Sequence, residues 1–447
     1  MAEGMISLED RGRGESLRDV AERYLFELAS RCMVQVKMNE YSIYNMFKSC
    51  RLHDLMRDLC LLKGKTEGFV DVVDRQIGRE EESSICKISS DGNLESGTTW
   101  KINFGEFKFL KILILEGYKF KNGQLPKGIE YLILLKLLSI EDSNVETLPA
   151  SVCKLPCLQS LNLRVNTEIK LPNLIYKLRR LRHLYLPNAI WSMSIIIGGG
   201  KLKLDGLNDL ETLIDFSSWI CEITHLLKLK KLRVLNGLIS DDESLSMIVD
   251  HILNHQDQFH DTQLFVRKSC NVNREEDGST LFRRLMMCHS LSYLRTDCGV
   301  SKLPTYEYNT LYRNVASLTL EKSNMEEDPM AILEMLPMLR RLRLESDAYV
   351  GREMVCRATG FPQLRCVSLS ELSNLVEWKV ERGAMPNLST LELYRCNKLE
   401  MLPNGLKFIT ALKNLVINDM PGNFKSRARV GGRDYHKIRH VPSVQFF

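Results

Sequence analysis

Residues 155–186 read LPCLQSLNLRVNTEIKLPNLIYKLRRLRHLYL. One phrase occurs twice in this stretch. Leu158, Leu161 and Leu163 follow the pattern L-x-x-L-x-L, where L is any aliphatic residue, and Leu181, Leu184 and Leu186 repeat it 23 residues later. Working outward, the phrase stands upstream at Leu110-Leu113-Leu115 and Leu135-Leu138-Ile140. Downstream it returns at Val315-Leu318-Leu320, Leu339-Leu342-Leu344, Leu364-Val367-Leu369, Leu388-Leu391-Leu393 and Leu412-Leu415-Ile417. The starts are 25, 23 and 23 residues apart in the first group, and 24, 25, 24 and 24 apart in the second. A second landmark keeps phase with the first. Leu-Pro occurs at Leu125-Pro126, Leu148-Pro149, Leu171-Pro172 and Leu402-Pro403, each proline nine residues before the next start. Two independent landmarks in register define an internal repeat.

The spacing carries a structure. The L-x-L core reads as a short strand whose leucines share one face and point inward. The remaining residues cross over and return, with Leu-Pro opening the return path. Position nine of a repeat suits Asn or Cys, and Asn166 and Cys396 stand there. One repeat buries about three leucines, each contributing roughly 1.5–3 kcal/mol. Ordering its backbone costs about 1–2 kcal/mol per residue, so a repeat becomes stable only against its neighbours. The expected fold class is therefore α/β: a leucine-rich repeat solenoid, a curved horseshoe of short parallel strands.

Composition agrees and sets the limits. Of 69 leucines in 447 residues, 10 fall in residues 1–100 and 59 in the rest, which places a boundary near residue 100. A net charge of +5 from 61 basic and 56 acidic residues gives no footprint for nucleic acid. The longest apolar run, Tyr131 to Ile140, is broken by Lys136, and the N-terminus lacks the basic and apolar regions of a signal peptide. The 13 cysteines are scattered singly, the nearest pair being Cys153 and Cys157. They suggest neither a disulfide framework nor zinc knuckles, and point to a reducing cytoplasmic compartment with most thiols buried.

Residues 16–30 have a helical stripe of Leu17, Val20, Ala21, Tyr24, Leu25 and Leu28 behind a capping-box-like Ser16 and Asp19. Met33 to Lys37 alternates like a strand, Phe47 to Leu52 returns, and a second helix follows with Leu55, Met56, Leu59 and Leu62 on one side. Helix, strand, wing, strand and helix suggest a small winged-helix module. The expected domains are a winged-helix end at 1–75, a linker at 76–105, twelve or thirteen repeats over 106–420 and a C-terminal cap at 421–447. Residues 240–290 break the rhythm. Leu210-Leu213-Phe216 and Leu232-Leu235-Leu238 are stretched repeats, Phe259-Thr262-Leu264 is a faint one, and 268–280 reads as an exposed loop.

YLFELASRCMVQV followed by SCRLHDLMRDLCLLK resembles the end of the NB-ARC region of plant NLR immune receptors of the coiled-coil class. Their Met-His-Asp signature corresponds to Leu52-His53-Asp54, which departs at its first position. The Leu-Pro-phased repeats and the tail MPGNFKSRARVGGRDYHKIRHVPSVQFF resemble the same family, so the resemblance covers nearly the whole chain. It implies a disease-resistance protein in which the repeats recognise a ligand and restrain a nucleotide switch. It also implies that His53 contacts the β-phosphate of ADP and that Asp54 caps the next helix or fixes the wing. The family's P-loop and coiled coil are expected to lie before residue 1. Gly64-Lys65-Thr66 lacks the first glycine of a P-loop, because residue 59 is Leu59, and Gly198-Gly199-Gly200-Lys201 is followed by Leu202. No cofactor is therefore expected for this chain, ADP or ATP belonging to the full-length family.

Strand alternation nominates a binding face. It turns outward Ser160, Asn162 and Arg164; His183 and Tyr185; Arg341, Arg343 and Glu345; and Thr390, Glu392 and Tyr394. Arg164, His183, Tyr185, Arg341, Arg343, Glu392 and Tyr394 are the partner-binding candidates, since aromatic and Arg side chains anchor protein partners. The expected partners are a pathogen effector or host protein on the concave face, and full-length relatives of the family. The C-terminal bases Lys425, Arg427, Arg429, Arg433, Lys437 and Arg439 read as a solvated cap, with an acidic partner or peripheral lipid contact as the alternative. A repeat adaptor selecting substrates for a ubiquitin ligase is the alternative function. It would need an F-box-like helical module, which the order over residues 16–62 does not match. No enzyme signature is present. Asp241, Asp242, Glu243, His251, His255, Asp257 and His260 could suggest a metal site, and His251 and His255, four apart, would share a helix face, but no further ligand is fixed by the pattern and the stretch reads as a solvated loop.

Overall fold

The computed structural model describes residues 17–31, 33–38, 47–52, 85–87, 104, 107, 109–125, 127–165, 167–188, 195–267, 269–270, 272–273, 275–276, 279–304 and 314–447. The chain divides into two compact units, residues 1–234 and 235–447.

The first unit opens with helix Leu17–Ser30 and an antiparallel pair, Val34–Met38 with Phe47–Leu52. These match the first helix and the two strands of the sequence reading; the expected wing and second helix lie outside the described residues. Parallel strands then follow one another in chain order: Ile85–Lys87, Ile112–Ile114, Leu137–Ser139, Ser160–Asn162, His183–Tyr185 and Thr212–Ser217. Their register aligns the repeats. Leu113, Leu138, Leu161, Leu184 and Leu213 stand side by side, each fully buried.

The second unit continues the pattern with Asp261–Val266, Leu291–Thr296, Ser317–Glu321, Arg341–Glu345, Cys366–Ser370, Thr390–Tyr394, Asn414–Asn418 and Ser443–Phe446. Leu264, Leu294, Leu318, Leu342, Val367, Leu391 and Leu415 form the same inward row. Each repeat start of the two regular groups lies two residues before the strand it announces, so the landmark marks the rung directly.

The Leu-Pro landmark has a mechanical role. Leu148 and Leu402 are buried, and Pro149 and Pro403 each open a one-turn 3-10 helix, Ala150–Lys154 and Asn404–Phe408. Proline suits this place because it presets φ and supplies no N–H where none is needed. Position nine works as expected at Cys396, buried with Sγ 3.6 Å from the carbonyls of Leu369 and Tyr394. Asn166 lies outside the described residues. Asn144, one place late, clamps the previous turn from both sides: Phe120 N donates to its Oδ1 at 2.6 Å and its Nδ2 donates to Phe120 O at 2.9 Å.

One expectation needs correction. Residues 241–261 are not a solvated loop. Asp242–Asn254 is a helix, capped by Asp241, whose side chain accepts from Ser244 N at 2.8 Å. Leu245, Ile248, Val249 and Ile252 are buried on one side of it. Here a helix replaces the short return path, and its polar half disguised the 3.6-residue period. His251 and His255 share a face, with rings 4.5 Å apart, and burial lowers the His251 pKa. The stretch 268–280 contains a small antiparallel pair, Glu275–Glu276 with Ser279–Thr280.

Two local devices hold the strand ends. Lys322, Ser346, Glu371, Arg395 and Asp419 each follow a strand and adopt φ of 51°, 50°, 53°, 47° and 49°. Each N–H donates to a carbonyl of the next repeat, at Glu345, Ser370, Tyr394, Asn418 and Phe447. The left-handed turn aims that N–H along the ladder, and a residue with a Cβ loses roughly 1–2 kcal/mol by adopting it. At the C-terminus, Asp434 accepts from Arg427 Nε at 2.9 Å and pairs with Lys437 Nζ at 2.8 Å, while Lys437 also donates to Leu402 O at 2.6 Å. Lys437 and Asp434 are buried, so the cap is not wholly solvated as expected; Arg429, Arg433 and Arg439 are the exposed bases.

Two outcomes follow. Lys322→Val lowers stability by about 1–2 kcal/mol, because β-branching is hardest to fit at positive φ, while Lys322→Gly does not lower it; urea midpoints of both variants check this. Asp434→Ala costs about 3–5 kcal/mol by leaving Lys437 buried without its partner. Burial alone would raise Asp434, but the Arg427 and Lys437 hydrogen bonds prevail and hold it below its ordinary value of 3.8. The lock is therefore complete above that value and is lost as the pH falls through the lower folded one. Denaturation midpoints measured against pH should show an acid loss in wild type that Asp434→Asn lacks.

Candidate functional site

Alternation in each strand leaves one set of side chains facing away from the leucine row, and parallel pairing lines these sets up across repeats. In the first unit, Ser160, His183 and Thr212 form one outward row, and Asn162, Tyr185 and Ile214 form the next. Arg164 follows strand Ser160–Asn162 and reaches across two strands. Its Nε donates to Asp215 Oδ2 at 2.8 Å, its Nη1 lies 3.9 Å from Glu141 Oε1, and its guanidinium stands 5.3 Å from the centre of the Tyr185 ring. Asn162 Nδ2 donates to Glu141 Oε2 at 2.8 Å. His183 Nδ1 lies 3.1 Å from Thr212 Oγ1. Burial raises the carboxyls of Asp215 and Glu141, and Arg164 partly offsets it in both. Three nominated residues, Arg164, His183 and Tyr185, are thus brought together. Asp215 and Glu141 complete the group, and sequence reading missed them.

In the second unit the outward rows are Tyr293, Ser317, Arg341, Cys366 and Thr390, and beside them Arg295, Thr319, Arg343, Ser368 and Glu392. Ser317, Thr319 and Ser368 are buried although they face outward. Short side chains form a floor there, and longer neighbours lean over it. Arg295 Nε reaches Glu321 at 2.6 Å, and its Nη2 lies 3.9 Å from Glu345. Arg343 lies 3.5 Å from Glu345 and 3.9 Å from Glu392. Burial pushes the Cys366 thiol up, with Arg341 and Arg343 opposing it. Arg395 covers the Tyr394 ring at 4.8 Å and pairs with Asp419 at 3.1 Å. Burial pushes the Glu345 carboxyl up, with Arg343 opposing it. Arg343 and Glu392 therefore belong to a half-buried chain of ion pairs with Arg295, Glu321 and Glu345, while Tyr394 stands in a separate group with Arg395 and Asp419.

The chemistry available is recognition. The face offers preset guanidinium, carboxylate and phenol groups whose ordering cost is already met within the fold. Among the described residues no group of three or more His, Cys, Asp or Glu is placed to hold a metal ion, and no helix is long and apolar enough to cross a membrane. His53 and Asp54 lie outside the described residues. A signal for the missed members exists in the sequence. Glu141 and Glu321 each stand six residues after their repeat starts, Leu135 and Val315, where only a structure tells which Arg reaches them.

Arg164→Ala should cost about 1.5–3 kcal/mol, since it strips a charge-assisted hydrogen bond from the buried Asp215. Arg343→Ala, whose ion pairs are longer and half-exposed, should cost less than about 1 kcal/mol. Equal losses in thermal or urea denaturation would contradict this ranking.

Comparison with known proteins adds the relationships. A family model described as a leucine-rich repeat region matches residues 94–422, and one described as a disease resistance protein winged helix domain matches residues 1–60. RPP8-like protein 2 of Arabidopsis thaliana is 34% identical over 100% of this chain and 51% of its own length. Disease resistance protein RPP8 of the same plant is 33% identical over 97% of this chain and 49% of its own length. The chain spans about half the length of the curated relatives it matches.

Proposed function

Because the chain belongs to the leucine-rich-repeat disease-resistance proteins of plants, we propose that it acts in disease resistance as a recognition module, with the outward strand faces as its binding surface. The observation that carries this reading is the paired network itself. Arg295, Arg343, Glu345, Glu392 and Tyr394 are held in place before any ligand arrives. Preset side chains lose little entropy on binding, and Tyr and Arg make strong anchors. The partner is a pathogen effector or a host protein, and the module acts by binding and restraint, not catalysis. In the full-length family His53 would contact the nucleotide and Asp54 would position the segment, a reading that rests on Leu52-His53-Asp54 alone. Cytoplasmic residence belongs to the proposal as well.

The test is co-immunoprecipitation of the full chain from challenged and unchallenged plant tissue. Tyr394→Ala and Tyr185→Ala should each lower recovery of a specific protein at least about tenfold, the range expected of an interface anchor. Met335→Ala, an exposed apolar residue away from the strand faces, should leave recovery unchanged. Loss from Met335→Ala with retention in both tyrosine variants would move the surface elsewhere. Recovery of a ubiquitin-ligase scaffold would favour the adaptor role instead.

A further inference from the structure

Strands Asp261–Val266 and Leu291–Thr296 pair in parallel, and a cysteine follows each: Cys270 and Cys298. Neither takes part in the outward network. Both are buried, at 4% and 1% exposure. A single oxygen joins them. The Arg267 carbonyl accepts from Cys270 N at 2.8 Å and from Cys298 Sγ at 2.8 Å. Cys298 Sγ also lies 3.6 Å from Val266 O, and Cys270 Sγ lies 3.9 Å from Ile239 O. Two residues hung from one atom must be close. Hydrogen bonding between the two side chains raises the Cys270 thiol, with burial adding to it, and lowers Cys298, the sulfur that more readily bears negative charge.

We infer that Cys270 and Cys298 form a redox modification site that closes to a disulfide when the protein meets a peroxide. Cys298 gives up its proton and attacks one peroxide oxygen as the thiolate, the O–O bond breaks, and the departing hydroxide takes up that proton and leaves as water. Cys298 is then a sulfenic acid. The Cys270 sulfur attacks the Cys298 sulfur, the S–S bond forms as the S–O bond breaks, and the second hydroxide leaves as water with the Cys270 proton. Two thiols and one hydrogen peroxide give one disulfide and two waters. Cys298 Sγ and Cys270 N already meet at the Arg267 carbonyl, so little backbone movement is needed to bring the two residues together. The bond ties Cys270 to Cys298 across the pair Glu275–Glu276/Ser279–Thr280 and the helix Leu281–Met286, where the repeat is least regular. Closing that loop removes freedom from the unfolded chain and stiffens the folded one.

The experiment uses the reduced full chain, titrated with hydrogen peroxide, alkylated and digested with trypsin without reduction. Cleavage after Lys268, Arg274, Arg295 and Lys302 yields peptides 269–274 and 296–302, each holding one of the two cysteines. The expected product is the covalent pair of these peptides, about 2 Da lighter than the two reduced peptides together and separated by dithiothreitol. Oxidation should also raise the thermal midpoint of wild type but not of Cys270→Ser or Cys298→Ser. Recovery of both peptides as alkylated thiols, at peroxide levels that oxidise other cysteines of the chain, would overturn the proposal. So would capture of either peptide by a different cysteine. The peptide mapping needs only the wild-type protein, so it stands even if a serine variant fails to fold. It is also independent of which partner the strand faces bind.

Discussion

An inward leucine on one strand is covered only by the leucines of the strands on either side. This dependence governs each unit of the molecule. Leu342 touches water nowhere because Leu318 and Val367 flank it in register, and each of those depends on the next in turn. No single coil holds enough apolar surface to fold alone, so sequence spacing matters more than sequence content. The same logic gives the C-terminus its elaborate close. Strand Ser443–Phe446 adds the last partner to Asn414–Asn418, and helix Gly422–Ala428 buries Phe424. The Asp434 carboxylate then ties Arg427 and Lys437 into that cover.

The register that aligns the leucines also aligns what faces away from them. Side chains two dozen residues apart become neighbours, and their charges pair. Arg164 reaches Asp215 across a separation of 51 residues, and Arg295 reaches Glu321 across 26. The surface is therefore ordered by the core. Small residues such as Ser317 and Thr319 leave room into which guanidinium groups lean. A recognition face built this way changes its chemistry by substitution at outward positions without disturbing the inward row.

The parts legible in the sequence were those set by period. The rungs, the Leu-Pro turns and the strand pair following the first helix could be placed because hydrophobic spacing dictates them. Helix Asp242–Asn254 was hidden because its buried residues Leu245, Ile248, Val249 and Ile252 sit among Asp, Glu and His that read as solvated. Arg343 and Tyr394 were nominated correctly as facing outward, yet their engagement with Glu345 and Arg395 depends on side-chain reach, which periodicity does not encode. Cys270 and Cys298 escaped notice for a related reason. They stand at different phases of their repeats, and only the detour through Arg267 brings their sulfurs together.

The left-handed residues after the strands have a consequence for how such a chain can change length. Each donates its N–H to a carbonyl in the following coil, as Ser346 does to Ser370 and Glu371 to Tyr394. Excision or duplication of one whole period hands every donor an equivalent acceptor, and the ladder closes without a gap. Loss of a few residues between hinge and strand leaves a donor without its acceptor. Arrays of this kind should therefore grow and shrink in whole coils, while the looser return paths absorb single-residue drift.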